Sequence, residues 1–260
     1  MAKVLSLYGG DVHLEFDDKA HAYFWREKGL PVAGVTSILS VLNKPALVQW
    51  AANCAAEYIA NAYVAARENG GELEPTAFLS LCQEAKTAHR KLSSEATDIG
   101  SAVHAFAEKV LIDRRASLPA DEKAAKGCAA FLDWFHAHKV EPIHVERMVF
   151  SRRWYYAGTV DMFGRLDDEL CVLDFKSSRG LYLEMILQLA AYSVALEEET
   201  GERIDIGWIV RLDKRTGKCQ PYRIPLTDRE KDAWLRVREA HQMIGKIEEQ
   251  LDGLRAQRAA

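Results

Sequence analysis

Two aspartates and a lysine stand on neighbouring segments that the sequence predicts to form a β-hairpin. Asp174 and Lys176 interrupt an otherwise apolar strand and share one of its faces, because side chains alternate along a strand. If the preceding turn is centred on positions 167–168, Asp161 lies directly opposite Asp174, with Cβ atoms about 4.5–5.5 Å apart. Two carboxylates this close repel each other, and a divalent cation between them removes the repulsion. Oxygen ligands suit Mg²⁺ or Mn²⁺, and Lys176 can hold a water or a phosphate oxygen beside them.

The alternative for these three side chains is an ion-pair patch on the exposed face of a hairpin, and other parts of the sequence weigh against it. His104 and Glu108 lie four positions apart in a helical segment, so they share a face. Gln188 and Tyr192 have the same spacing on the helix after Lys176, and a glutamine among apolar neighbours needs a polar partner. Either pair taken alone also fits an ordinary core or surface helix.

The predicted turn before Asp161 is rich in cations and aromatic rings. It reads Ser151-Arg-Arg-Trp-Tyr-Tyr-Ala-Gly158, a composition that suits phosphates and bases. A solvated hairpin tip is the alternative interpretation.

The hydrophobic pattern along the chain predicts an α/β fold, with an α+β core in which helices precede a meander of strands. Short β-like runs are expected over 11–34. The predicted helices are Pro45–Arg67, Pro75–Leu92, Asp98–Ile112, Asp121–His138, 182–199 and Asp228–Leu254. The predicted strands are 143–151, 155–166, 170–176, 204–212 and 219–224. No linker or repeat divides the chain, so we expect one domain with an N-terminal elaboration over 1–95, a core over 96–225 and a C-terminal helix over 226–260.

Four pieces of this pattern occur in the order and approximate spacing of the PD-(D/E)XK nuclease superfamily, which the chain resembles over about residues 97–212. The pieces are Gly100-x3-His104-x3-Glu108, Gly158-Thr-Val-Asp161, Leu173-Asp174-Phe-Lys176-Ser and Gln188-x3-Tyr192. More narrowly, the chain looks like the RecB-type exonuclease branch, which includes the mitochondrial genome maintenance exonuclease and many phage-encoded nucleases. The resemblance implies a restriction-endonuclease-like fold, a central mixed β-sheet flanked by helices with a helical N-terminal elaboration, and it makes 96–225 the catalytic core.

Carried over position by position, the resemblance implies a site for one or two Mg²⁺ or Mn²⁺ ions. His104, Asp161 and Asp174 become metal ligands, joined by the backbone carbonyl of Phe175. Glu108 becomes either a ligand through water or part of a second metal site.

The resemblance also implies catalytic roles for side chains around the metal. Lys176 orients the attacking water and stabilises charge that develops on the phosphate. Gln188 and Tyr192 position DNA or the catalytic lysine. Glu146, on the strand before Asp161, falls where many members have a glutamate.

The resemblance extends less specifically to the N-terminal segments 29–39 and 43–50, which look like those of phage members. The residues expected to contact DNA are Thr36, Ser37, Lys44, Arg152, Arg153, Tyr155, Ser177 and Arg179.

The function that the resemblance implies is a metal-dependent deoxyribonuclease, most narrowly an exonuclease acting at DNA ends in recombination, repair or DNA degradation. The alternatives are a non-catalytic module that binds DNA ends or single strands, and an interaction scaffold built on the apolar stripe of the C-terminal helix. The expected partners are single- or double-stranded DNA and a recombinase, an annealing protein or a helicase. The chain has no Gly-x4-Gly-Lys-Ser/Thr motif of its own, so any unwinding of DNA must come from a partner. Polarity, strand preference and oligomeric state are left open.

Composition narrows the classes of protein. The net charge of -4 excludes a broad basic surface that coats nucleic acid, but not a nuclease that grips one strand locally. Five cysteines without a Cys-x2-Cys pair indicate neither a zinc ribbon nor a disulfide framework. Only Cys219 follows the core, where iron–sulfur members of the family carry three cysteines, so we expect no iron–sulfur cluster. No apolar run reaches about 18 residues and the start lacks a signal-peptide pattern, so we expect a cytoplasmic protein of a bacterial or phage-infected cell with no membrane partner.

Overall fold

The computed structural model describes residues 3–71, 74–178, 180–213 and 216–259. The chain forms two compact units. The first combines Met1–Leu42 with Val103–Ala260, and the second is Asn43–Ala102. The expected single domain, with its divisions after residues 95 and 225, stays a prediction.

The first unit is built on a mixed sheet that has nine strands in the described residues. The strands are β1 (Lys3–Leu7), β2 (Val12–Asp17), β3 (Ala22–Trp25), β4 (Leu30–Gly34), β5 (Val140–Ser151), β6 (Tyr156–Leu166), β7 (Glu169–Lys176), β8 (Ile206–Asp213) and β9 (Lys218–Pro225). Their order is β1-β2-β3-β4-β6-β7-β8-β9, with β5 paired to β6. The β4–β6 and β7–β8 pairs are parallel and the others are antiparallel.

Helices cover both faces of the central strands. The α-helices of the described residues are α1 (Val35–Ile38), α2 (Pro45–Glu68), α3 (Pro75–Asp113), α4 (Glu122–Ala137), α5 (Leu183–Thr200) and α6 (Asp228–Ala259). Val172 of β7 packs in the core that α5 covers, whereas Phe175 contacts Phe131 and Trp134 of α4. Because these two β7 residues have opposite parity, the helices lie on opposite faces. The predicted α/β class is confirmed. In the part of the chain that the structure describes, no helix is both long and apolar enough to cross a membrane.

One edge of β6 pairs with two different strands. At its start, Tyr156 and Ala157 pair with β4, and at its end Met162–Leu166 pair with β7. Among the described pairings, positions 158–161 on this edge join neither strand. The sheet therefore forks at the part of β6 that carries Asp161.

The register of the β6–β7 hairpin is the one predicted from the sequence. Met162 pairs with Leu173 and Leu166 pairs with Glu169, around a turn at 167–168. Continued by one position, this register places Asp161 opposite Asp174.

β6 also changes face beside the fork. Val160 and Phe163 pack in the same hydrophobic core although they are three residues apart, whereas a regular strand would place them on opposite faces. Asp161 lies between them. Such irregularities re-aim side chains and are common next to active sites.

The helix α3 is continuous over 39 residues, where the sequence analysis predicted two helices, Pro75–Leu92 and Asp98–Ile112. The apolar periodicity fades over 93–97, but this stretch contains neither glycine nor proline to end a helix. The Thr97 hydroxyl donates to the Ser93 carbonyl at 3.0 Å, a bond that fits within a helix. Loss of periodicity therefore marked a change of environment along one helix and not a break.

In the second unit, α2 packs beside the part of α3 that precedes Val103. The Tyr58 hydroxyl donates to Glu84 Oε2 at 2.8 Å, and the Trp50 and His89 rings meet edge to face with centroids 6.3 Å apart. Both contacts join the two helices.

The apolar stripe that the sequence predicts on α6 is divided between core and surface. Trp234 is fully buried against Tyr156, with ring centroids 5.0 Å apart. Ile244, Ile247 and Leu254 are exposed. The first half of the helix thus packs on its own unit.

Candidate active site

Asp161 lies at the point where β6 and β7 separate. Its Oδ2 accepts a hydrogen bond from the backbone N–H of Phe175 at 2.7 Å. The carboxylate thus accepts a hydrogen bond that a backbone carbonyl would accept in a regular β-ladder, just beyond the last regular pair of the hairpin. This bond fixes the position of a side chain that is only 13% exposed.

His104 reaches the same carboxylate from α3. Its Nδ1 lies 3.4 Å from Asp161 Oδ2, and its ring meets the Phe175 ring edge to face at a centroid distance of 6.3 Å. Glu108, one turn further along α3, is partly buried but is not a member of the ligand group described next. Of the predicted helical pair, only His104 is in direct contact with Asp161.

Glu146 completes a group of three potential metal ligands. One ligand atom each from His104, Glu146 and Asp161 lies within 4.8 Å of the others. Val145 pairs with Met162 and Arg147 with Val160, so Glu146 occupies the position opposite Asp161 on β5. Its backbone is left-handed, with φ of 47°, a rare conformation for a residue other than glycine. The resemblance implies a glutamate at the place of Glu146. The strand pairing predicted from the sequence covers only β6 and β7, so it does not place Glu146 of β5 beside Asp161.

Asp174 and Lys176 form an ion pair beside this group. Lys176 Nζ lies 2.5 Å from Asp174 Oδ2, and Asp174 is 2% exposed. The approach is close, but Asp174 Oδ2 has no hydrogen bond of acceptable geometry in the described residues. Asp174, predicted as a metal ligand, lies next to the group as the partner of Lys176.

The electrostatics of the metal-free site disfavour a full set of charged carboxylates. Burial raises the pKa of Asp161, and the nearby charge of Asp174 raises it further. Burial, followed by the charges of Asp161 and Glu108, raises the pKa of Glu146 to about 8. Burial lowers the pKa of Lys176, but Asp174 and Asp161 raise it, and the net pKa lies above its usual value.

These residues fit a divalent cation. The group offers one imidazole nitrogen and two carboxylate oxygens, a donor set that Mg²⁺ and Mn²⁺ accept. The raised pKa of the Asp161 and Glu146 carboxyl groups is the mark of a site whose negative charge lacks a cation. Asp174 adds a buried carboxylate oxygen without a well-formed hydrogen bond.

We expect the metal-free protein to become less stable as the pH rises from about 5 to about 9, and Glu146→Gln to weaken this dependence. The folded state raises the pKa of Glu146 to about 8, so its stabilisation is complete below the unfolded pKa and is lost as pH rises through the folded pKa. Asp161 contributes with the same sign. Urea unfolding in EDTA at both pH values measures the effect.

The matched control is Glu122→Gln on α4. Glu122 is exposed, and its pKa is lowered by a hydrogen bond from Lys126, so this variant should keep the dependence found in the wild type. The same pH dependence in Glu146→Gln and the wild type would show that Glu146 titrates normally.

Gln188 and Tyr192 are partners on α5, as their spacing predicts. Gln188 Nε2 donates to the Tyr192 hydroxyl oxygen at 2.7 Å, which supplies the polar partner that the glutamine needs. Tyr192 is 3% exposed, and burial, with the charges of Asp174 and Asp161, raises its pKa well above the usual value. The phenol is therefore held as a neutral hydroxyl under the site.

Gly158 allows Tyr192 to approach the fork. A Cβ at this position would lie 2.6 Å from a ring carbon of Tyr192 and 3.1 Å from a Val35 methyl group. Any larger residue would displace the ring. The glycine of the motif thus has a packing reason that the sequence alone does not reveal.

A cleft of about 280 Å³ opens at the fork, beside Glu146. Thr36 and Ser37, which lie in the short helix α1 after β4, are exposed and line it together with Thr159 and Tyr192. Two of the residues expected to contact DNA therefore lie at the candidate site.

Three of the other residues expected to contact DNA lie away from Asp161. Arg152, Arg153 and Tyr155 are at the β5–β6 turn, and Asp161 lies five positions beyond Tyr156 along the strand, about 16 Å at ~3.3 Å per residue. Arg152 stacks over Tyr8 at 5.1 Å and Arg153 over Trp154 at 5.1 Å. The cations of this turn are therefore packed on aromatic rings of the same unit.

Three expected DNA contacts remain. Ser177 follows Lys176 directly and is partly buried. Lys44 belongs to the second unit. Arg179 lies outside the described residues.

Comparisons with known proteins add little to this geometry. No family model matches the chain, and no curated protein matches it. Among solved structures, the chain is similar to a protein from Eubacterium rectale that bears the name "Putative exonuclease", with 12% sequence identity and a TM-score of 0.36. The match covers 55% of this chain and 68% of that one. A similarity this low does not establish a shared fold or activity.

Proposed function

We propose that this chain is a Mg²⁺- or Mn²⁺-dependent deoxyribonuclease that hydrolyses phosphodiester bonds. The observation that supports this most is the convergence of His104, Glu146 and Asp161 within 4.8 Å, beside the buried Asp174–Lys176 pair. An ion-pair patch on a solvated surface does not require two carboxyl groups that burial keeps partly protonated. A site that binds a cation beside a lysine does require buried carboxyl groups, because the cation and the lysine both stabilise the negative charge of a phosphate.

Different residues of the chain contribute to different parts of the hydrolysis. His104, Glu146 and Asp161 would hold a divalent cation, which would neutralise phosphate charge and lower the pKa of water. The Phe175 N–H holds the Asp161 carboxylate rigidly, so that this ligand does not reorganise during the reaction. Lys176 presents an ammonium group to a phosphate oxygen or to the attacking water.

Two further residues position this machinery. Asp174 Oδ2 pairs with Lys176 Nζ at 2.5 Å and thereby keeps the ammonium group next to the metal-ligand group. Tyr192, held by Gln188, lines the cleft below the phosphate and can donate a hydrogen bond from its neutral hydroxyl. Glu108 contributes negative charge to the surroundings of Glu146.

We further propose that the fold is the restriction-endonuclease-like one and that the enzyme is an exonuclease of the RecB type. The mixed sheet with helices on both faces and the predicted β6–β7 register support the fold. The net charge of -4 supports action on a strand end, since the binding of a long duplex requires a broad positive surface.

The test is digestion of 5′- and 3′-labelled single-stranded, blunt and overhanging DNA, with circular DNA as control, in Mn²⁺ and in EDTA. We expect products from linear substrates in Mn²⁺ only, and intact circles. Cleavage of circles would replace the exonuclease with an endonuclease. Binding without products on every substrate would favour the non-catalytic DNA-binding module.

A further inference from the structure

A row of side chains crosses the first three strands of the sheet and leads towards the metal group. Lys3 of β1 pairs with Phe16 of β2, and Phe16 pairs with Tyr23 of β3. Directly opposed residues share a face of the sheet, so the three side chains lie side by side. All three line the 280 Å³ cleft beside Glu146.

The aromatic members of this row form one wall of the cleft. The Phe16 and Tyr23 rings have centroids 4.7 Å apart, and His21 meets Phe16 edge to face at 5.3 Å. Tyr23 is buried, whereas Phe16 is partly exposed and His21 is exposed. An aromatic surface that remains partly exposed in a cleft is suited to stack on another flat ring.

This wall is joined to the fork that carries Asp161. The hydroxyl groups of Tyr23 and Thr159 are 2.9 Å apart, and Thr159 stands two positions before Asp161 on β6. Lys3 lines the same cleft as Glu146, so its ammonium group is on the side of the cleft that carries a metal-ligand candidate. The cleft thus brings an aromatic wall and a cation to the edge of the metal group.

We propose that this cleft receives one unpaired nucleotide of the strand being cut, with its base stacked on Phe16 and its phosphate within reach of Lys3. The assignment rests on the proposed nuclease function. An aromatic platform with a neighbouring cation is how proteins hold single-stranded nucleic acid without reading its sequence. Thr36 and Ser37, which also line the cleft, supply hydroxyl groups for sugar or phosphate oxygens.

The size of the cleft sets the substrate class. Sites for drug-sized ligands span roughly 300–1,000 Å³. At about 280 Å³ the cleft has the size of one nucleotide. With one unpaired nucleotide in the cleft, a single-stranded end or the frayed terminus of a duplex is the substrate, and an unpaired end is cut faster than a blunt one.

The test compares Phe16→Leu with Phe24→Leu. Leucine keeps an apolar side chain but has no π-face, so Phe16→Leu should weaken both the binding of single-stranded oligonucleotide in Ca²⁺ and its cleavage in Mn²⁺ by roughly 5- to 150-fold, the range for one stacked base. Phe24 neighbours Tyr23 on β3 and points to the opposite face, so its replacement perturbs the same strands without touching the cleft. Phe24→Leu should bind and cut like the wild type.

A second arm places one abasic nucleotide in turn at each of the positions next to the cleavage point. At one position it should weaken wild-type binding, and it should have no further effect on Phe16→Leu. Equal binding of intact and abasic strands by the wild type, or equal losses in Phe16→Leu and Phe24→Leu, would overturn the proposal. If the wild type binds strands in this base-dependent way and cuts none of them, the cleft stands and the nuclease function fails.

Discussion

Asp161→Asn is expected to abolish metal-dependent DNA cleavage, by about 1,000-fold or more, while the metal-free protein remains at least as stable as the wild type. The variant removes one ligand charge from the group formed with His104 and Glu146. Its amide oxygen can still accept the Phe175 N–H, so the local structure keeps its hydrogen bond. Burial and Asp174 disfavour the charged Asp161, so the loss of that charge relieves repulsion at neutral and alkaline pH. Cleavage rates in Mn²⁺ and urea unfolding in EDTA measure the two effects.

The matched control is Asp168→Asn in the turn of the same hairpin. Asp168 is exposed and has a left-handed backbone with φ of 71°, a conformation that asparagine tolerates well. This variant should cut DNA at the wild-type rate. Undiminished cleavage by Asp161→Asn would remove Asp161 from the site, and a large loss of stability would show that the carboxylate has a structural role.

Lys176→Arg and Lys176→Met should both reduce cleavage by at least about 100-fold, but they should differ in stability. Arginine keeps the positive charge beside the buried Asp174, whereas its planar fork cannot place that charge where the compact ammonium lay. Methionine leaves Asp174 buried without its partner, at a cost of roughly 3–5 kcal/mol. Single-turnover cleavage, together with the free energy of unfolding, separates the lost charge from the lost fold.

Lys231 provides the matched control for Lys176. It is 6% exposed, and its Nζ lies 2.6 Å from Glu197 Oε1, away from the metal group. Lys231→Met should lose stability in the same way, yet the folded fraction should cut DNA normally. Wild-type cleavage by Lys176→Arg would mean that any positive charge suffices there, and wild-type cleavage by Lys176→Met would exclude a catalytic lysine.

The sequence carries the information that brings Asp161 to Asp174. A turn at 167–168 and alternating side chains suffice for the hairpin register, because both are local properties of the chain. The Gln188–Tyr192 contact is equally local, since both residues lie on one helical face. The side chains of His104 and Asp161, for which the resemblance implies a role as metal ligands, come within 3.4 Å of each other.

The rest of the site depends on contacts that local patterns do not encode. Glu146 reaches the metal group through the register of β5 on β6 and through a left-handed backbone that its residue type does not predict. The cleft exists because β4 and β7 pair with different parts of β6, and these strands are far apart in the sequence. The row of side chains from Lys3 to Tyr23 likewise lies beside the metal-ligand group only because β4 joins the N-terminal strands to the sheet at the fork.

Binding of Mn²⁺ to the EDTA-stripped protein, followed by electron paramagnetic resonance of the free ion, tests the central claim most directly. We expect the wild type to remove the signal of free Mn²⁺ as protein is added, and Asp161→Asn and Glu146→Gln to leave much more of it, with Asp168→Asn behaving like the wild type. Equal uptake of Mn²⁺ by all four proteins, or no uptake by the wild type even with single-stranded DNA present, would contradict a metal site formed by His104, Glu146 and Asp161.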